Sequence, residues 1–133
     1  MSDIQQKMVM AAKAMLEKSY SPYSHFPVAA CILAENNQIY CGCNIENASF
    51  GLTLCAESSA ISSMVGDGQL RIKEIVIVAN SADFCAPCGG CRQRISEFST
   101  PETRIHFYNR AGEYKTLTMA ELLPMPFQSK TMG

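Results

Sequence analysis

Ile75-Val76-Ile77-Val78-Ala79 is an unbroken apolar run with no position at which a strand could face water. Such a run suits a strand buried on both faces, and that strand needs a layer of structure on each side of its sheet. The other periodicities supply the layers. Over residues 3–19, Ile4, Met8, Ala11, Ala12, Met15 and Leu16 share one helical face. Ser2 with Gln5 resembles a capping box, and Ser21-Pro22 closes the segment. Residues 27–34 read as a strand, Glu35-Asn36-Asn37-Gln38 as a turn and residues 39–43 as the returning strand of a hairpin. Residues 55–66 suit a helix that stops at Gly66-Asp67-Gly68. A helix over 89–98, a strand over 104–108, a strand near 115–118 and a helical turn over 118–123 follow. This order predicts an α/β chain, a mixed sheet with helices on both faces. Only Asn109 to Tyr114 separates the last two strands. A parallel crossover needs roughly a dozen residues or more, so these two strands are expected to be antiparallel.

No repeat, low-complexity segment or Gly/Ser linker divides the 133 residues, so a single domain is expected over 1–133, with a tail over about 128–133. The hydrophobic fraction of 47% and charged fraction of 17% are those of a globular chain and argue against disorder. The formal net charge of -1 provides no electrostatic footprint for nucleic acid or an anionic membrane. Met1-Ser2-Asp3-Ile4-Gln5-Gln6 lacks the basic start and apolar core of a secretory signal, and no stretch approaches a membrane span. A cytoplasmic protein is therefore expected, in a compartment where disulfides rarely persist.

Against that background, seven cysteines with two histidines is unusual. An odd number fits poorly with a closed disulfide framework. Cys31, within Val28-Ala29-Ala30-Cys31-Ile32-Leu33, reads as a buried hydrophobe, and Cys41-Gly42-Cys43 as strand residues whose two sulfurs share a face. The informative pieces are Cys55-Ala56-Glu57 and Pro87-Cys88-Gly89-Gly90-Cys91, each at the start of an expected helix. Cys88 and Cys91 are spaced to share a face of a first helical turn and grip one ion, with Cys55 as a third ligand. Three protein ligands leave a tetrahedral position open, as catalytic zinc sites do. Helix N-termini favour thiolates. Glu57 has the wrong spacing to share a helical face with Cys55, yet at the splayed first turn it can reach the open side, where a carboxylate activates water. Cys85-Ala86-Pro87-Cys88 is a competing C-x-x-C pair, and a structural zinc knuckle could recruit Cys85, His25 or His106 as a fourth ligand.

Cys-Ala-Glu followed by Pro-Cys-x-x-Cys resembles the zinc deaminases, a motif and a glutamate role described for that class in general. Ser21-Pro22-Tyr23-Ser24-His25-Phe26-Pro27-Val28, Gly42 through Gly51, Pro87 through Gln93 and Glu121-Leu122-Leu123-Pro124 together resemble the small homotetrameric cytidine deaminases. The likeness runs from the first helix to Phe127. It implies a three-layer α/β/α sandwich with a mixed five-stranded sheet. It implies one Zn²⁺ per subunit held by Cys55, Cys88 and Cys91, with Cys85 left out. It implies hydrolysis of cytidine and 2′-deoxycytidine to uridine and 2′-deoxyuridine with release of ammonia, a pyrimidine salvage reaction. Glu57 is then the group that carries protons from water to ring N3 and to the departing amine. Asn44 and Glu46 would hold the ribose, where Glu46 would repel a phosphate. Phe26 would stack near the base, the Ala56 N–H would meet it, and Phe127 would reach a neighbouring subunit's site.

Without the resemblance, Asn44 and Glu46 would pass for turn residues, Phe26 for plain core and residues 124–127 for a frayed tail. Two positions depart from the family pattern. Ser58 stands where the family commonly has Arg, and Phe50 where it often has Tyr. Three thiolates and one Zn²⁺ leave an excess negative charge, and Arg92 with the helix N-termini is the expected source of the missing positive field. The competing functions are a deaminase of another aminopyrimidine such as blasticidin S, a nucleic-acid base deaminase, and a structural zinc module that binds a partner.

Overall fold

The computed structural model of the chain describes residues 2–84 and 89–126. Helix α1 (Asp3–Leu16) leads into the hairpin β1 (Val28–Ala34) and β2 (Ile39–Cys43). Helix α2 (Ala56–Gly66), strand β3 (Ile72–Ala79) and helix α3 (Gly89–Glu97) follow. Strands β4 (Arg104–Tyr108) and β5 (Tyr114–Thr118) and the short helix α4 (Met119–Leu122) complete the order. The five strands form one mixed sheet in the order β2-β1-β3-β4-β5. β1 is antiparallel to β2 and β3, β3 and β4 are parallel through α3, and β5 returns antiparallel to β4 as the short connection predicts.

The two faces of the sheet are covered separately, as the Ile75–Ala79 run requires. Ala30, Ile32, Ile75 and Ile77 point to the side that carries Ala60 and Met64 of α2 and Ile95 of α3. Ala29, Cys31, Val76 and Val78 point to the side that carries Met8, Val9 and Ala12 of α1. The period-2 alternation of each strand thus feeds both cores. No helix among the described residues is long and apolar enough to cross a membrane.

Two ends differ from expectation. Helix α1 stops at Leu16 rather than 19: the Lys18 and Ser19 N–H groups bond only three residues back, to Met15 O and Leu16 O, and the chain then leaves the helix. Tyr20 N–H donates to Asn44 O at 3.1 Å and Glu46 N–H to Tyr20 O at 2.8 Å, extending the β2 edge. At the other end, Ser2 Oγ accepts from the Gln5 N–H at 3.2 Å. Gln5 is buried and sends its side-chain amide to the Tyr108 hydroxyl at 2.8 Å, where it joins α1 to β4.

Cys31 and Cys41 also depart from the packing role expected of them. The β1–β2 register sets them directly opposite each other with Cα atoms 4.2 Å apart, and their sulfurs form a disulfide. That spacing is characteristic of a non-hydrogen-bonded antiparallel pair, about 4.5 Å, where side chains approach most closely. Cys43 remains a buried free thiol, and burial pushes its pKa up. Cys85 lies outside the described residues.

Candidate active site

The site forms where the N-termini of α2 and α3 meet. Cys55 is the N-cap of α2, with extended backbone (φ -78°, ψ 160°) and no capping hydrogen bond from its side chain. Its sulfur is therefore available to a neighbour. That neighbour is Cys91 in the first turn of α3, and the two sulfurs are in contact. Their Cα atoms are 7.4 Å apart, wider than the roughly 4.4–6.8 Å that disulfides usually span.

Glu57, in the same first turn as Cys55, completes the cluster. Ligand atoms of Cys55, Glu57 and Cys91 lie within 4.8 Å of one another. Glu57 is only 4% exposed. Burial pushes its carboxyl pKa up, while its own backbone amide and the Arg94 guanidinium pull it down. A carboxyl whose burial favours the protonated form is suited to taking up and returning a proton. Ala56, between the two, is buried at a helix start, where amides lack intrahelical acceptors. Cys88 and Phe127 lie outside the described residues.

Ser58 Oγ sits 3.0 Å from Cys55 Sγ, one helical turn on. Arg92 donates from Nη1 to Leu122 O at 3.1 Å and ties α3 to α4. Arg94 Nη1 faces the sulfurs, at 3.9 Å from Cys55 and 4.0 Å from Cys91. Sequence reading passed over Arg94, although its i+3 spacing from Cys91 places the two on one helical face.

Asn44 and Glu46 both reach back to the segment after α1. Asn44 Oδ1 accepts from the Val28 N–H at 3.0 Å and from the Ser19 hydroxyl, and its Nδ2 donates to Phe26 O at 2.9 Å. Glu46 accepts from the Tyr23 N–H at 3.0 Å, the Ser24 N–H at 3.1 Å and the Ser24 hydroxyl. These bonds, the Ser24 hydroxyl first, hold the Glu46 pKa below its ordinary value. Phe26 is half-buried on the loop they fix, directly after His25 with φ 55°. Phe50, 77% exposed on a 3-10 turn, meets Tyr23 edge-on with centroids 6.4 Å apart. Tyr23, Ser24, Glu46, Phe50 and Thr53 line a recess of about 370 Å³. Small-molecule sites fall in the range of roughly 300–1,000 Å³. Ser19 and Ser24 were not singled out from the sequence, because hydroxyls in a Ser- and Tyr-rich loop carry no distinctive spacing.

The family model of the cytidine and deoxycytidylate deaminase zinc-binding region matches residues 1–107. The chain belongs to this deaminase family. A cytidine deaminase of Sporosarcina psychrophila is 39% identical over 128 residues, covering 96% of this chain and 94% of that protein. A cytidine deaminase of Halalkalibacterium halodurans is 36% identical over 96% of this chain and 97% of its own. Among solved structures, the cytidine deaminase of Burkholderia pseudomallei superposes with a TM-score of 0.88 at 36% identity, over 96% of this chain and all of the other (100%). The mixed sheet with its helices is thus the cytidine deaminase architecture. The cofactor of this deaminase region is zinc, and the chain's donors fit it. Two cysteine sulfurs and a carboxylate converge within 4.8 Å of one another at two helix N-termini; thiolate sulfur there suits Zn²⁺, with the carboxylate beside it.

Proposed function

We propose that this chain is a zinc-dependent hydrolase that converts cytidine and 2′-deoxycytidine to uridine and 2′-deoxyuridine with release of ammonia. The observation that carries this reading is the buried carboxylate of Glu57 set within 4.8 Å of the Cys55 and Cys91 sulfurs. Cys55, Cys88 and Cys91 would hold the metal, with the Glu57 carboxylate beside the Cys55 and Cys91 sulfurs. Zinc, when bound, supplies the Lewis acidity that makes water reactive near neutral pH. Glu57, shielded from bulk solvent, takes one proton from water and delivers it to ring N3, then takes the second from the hydroxyl gained at C4 and delivers it to the departing amine. One carboxylate serves both transfers because each delivery returns it to the ionised form that accepts the next proton.

The remaining residues bind and orient. The Ala56 N–H meets the base, and Phe26 stacks beside it. Asn44 and Glu46 engage the ribose. Asn44 has one amide N–H beyond its bond to Phe26 O, and Glu46 has acceptor capacity beyond its bonds to the Tyr23–Ser24 turn. A carboxylate there favours free hydroxyls over a phosphate, in keeping with the net charge of -1. The reaction belongs to cytoplasmic pyrimidine salvage, and residues 1–133 act as one domain.

The active form is a homotetramer in which Phe127 reaches a neighbour's site. Support comes from an open groove of about 550 Å³ at α2 and α3, lined in part by the apolar side chains of Leu54, Ile61, Val65 and Phe98. Leu54 is 50% exposed and Val65 40% exposed in the single chain, a pattern that association would cover.

Loss of cytidine absorbance in the ultraviolet, followed with and without a metal chelator, tests the reading. Turnover that chelation abolishes and zinc restores is expected. A zinc-loaded protein inert toward both cytidine and deoxycytidine overturns it. Sedimentation of the same sample tests the tetramer.

A further inference from the structure

We infer that Arg94 is a positioning residue of the metal centre, donating to the Cys55 and Cys91 thiolates and offsetting their excess charge. The inference rests on the reading of these cysteines as zinc ligands. Three thiolates around one Zn²⁺ sum to one net negative charge, which makes the metal a weaker acid toward water. Arg94 Nη1 lies 3.9 Å from Cys55 Sγ and 4.0 Å from Cys91 Sγ, so one nitrogen addresses ligands on both helices. Its hydrogens can be shared between two sulfurs, and a guanidinium keeps its charge at every working pH.

The placement follows from the helix. Arg94 is one turn beyond Cys91 on α3, so its stem runs back over the first turn toward the gap between α2 and α3. The backbone leaves room for it: a Cβ built on Gly90 would have Arg94 Nη1 as its contact, at 3.8 Å. On α2, the residue facing the same sulfur is Ser58, whose hydroxyl is 3.0 Å from Cys55 Sγ. A hydroxyl can hydrogen-bond a thiolate but brings no charge. Position 58 therefore lies close enough to the sulfur for a cation, and in this chain the cation comes from α3 instead.

The test uses cobalt in place of zinc in the full-length protein and reads the sulfur-to-cobalt charge-transfer band. Wild-type protein is expected to show this band, which establishes the thiolate ligands. Its absence overturns the ligand reading and this inference with it. Arg94→Ala makes the thiolates more electron-rich, so the band moves to lower energy at unchanged metal stoichiometry. In the zinc enzyme kcat falls about ten- to a hundredfold, the usual cost of removing a partner of a metal ligand, with KM little changed. Arg94→Lys keeps the charge without the planar fork, and its band falls between the two. Ser58→Arg combined with Arg94→Ala returns the band to the wild-type position and restores most of kcat. A band that stays in place in Arg94→Ala and Arg94→Lys overturns the inference, whatever happens to turnover.

Discussion

Gly42 on β2 lies so close to α2 that a Cβ at position 42 would stand 2.5 Å from the Ala60 backbone nitrogen. The same atom would meet the Ser59 side chain at 2.6 Å. Strand and helix thus touch backbone to backbone, and α2 carries both Cys55 and Glu57 at its start. Gly42→Ala cannot be absorbed by a flexible side chain, since the obstacle is main chain. We expect a loss of about 1–3 kcal/mol, the usual range for overpacking, read as a lower denaturation midpoint in urea. Turnover should fall further than stability alone explains, because α2 must shift.

Glu57→Gln removes the proposed proton carrier and keeps the shape. Turnover should fall by roughly 10²–10⁴, the usual contribution of a positioned acid–base group. Zinc content by atomic absorption should stay at the wild-type level. Loss of zinc along with activity would place Glu57 among the ligands instead.

Cys91 is buried and faces Cys55 across the α2–α3 junction. Cys91→Ala should reduce bound zinc well below stoichiometric, abolish turnover and lower the melting temperature. Excess zinc should not restore activity, whereas it should restore that of chelated wild-type protein.

Glu46 responds to acid. Its folded pKa lies below the ordinary 4.5, chiefly through the Ser24 hydroxyl. A carboxyl depressed by folding contributes stability that is present above the unfolded value and is lost as pH falls through the folded one. Protection of the Tyr23 and Ser24 amides from hydrogen exchange should therefore decline as pH drops below 4.5. Ser24→Ala should move the Glu46 titration, followed by carboxyl carbon NMR, to higher pH.

Much of this architecture is legible in the residues. The Ile75–Ala79 run demanded cover on both faces, and the sheet has it. The short Asn109–Tyr114 link required β5 to turn back on β4, and it does. Local signals were weaker wherever a distant partner decides the outcome. The path of the chain after α1 depends on Asn44, more than twenty residues away, whose carbonyl accepts from the Tyr20 N–H and the Ser19 hydroxyl. The Cys31–Cys41 link depends on hairpin register, which places two cysteines opposite each other rather than beside apolar neighbours alone. Arg94 reads as a solvated helix charge until α2 is placed against α3. The site's backbone was easier to foresee, because Cys55 and Cys91 stand at helix starts that their own sequences announce.

Cys55 and Cys91, the proposed ligands, are 36 residues apart in the chain and stand at helices that precede and follow β3 in sequence. Whatever grips both is a clasp between an early and a late stretch of polypeptide. On the proposed ligand set, a newly made chain deprived of zinc is expected to leave that seam unfastened, and the abundance of the protein is then expected to follow the supply of zinc.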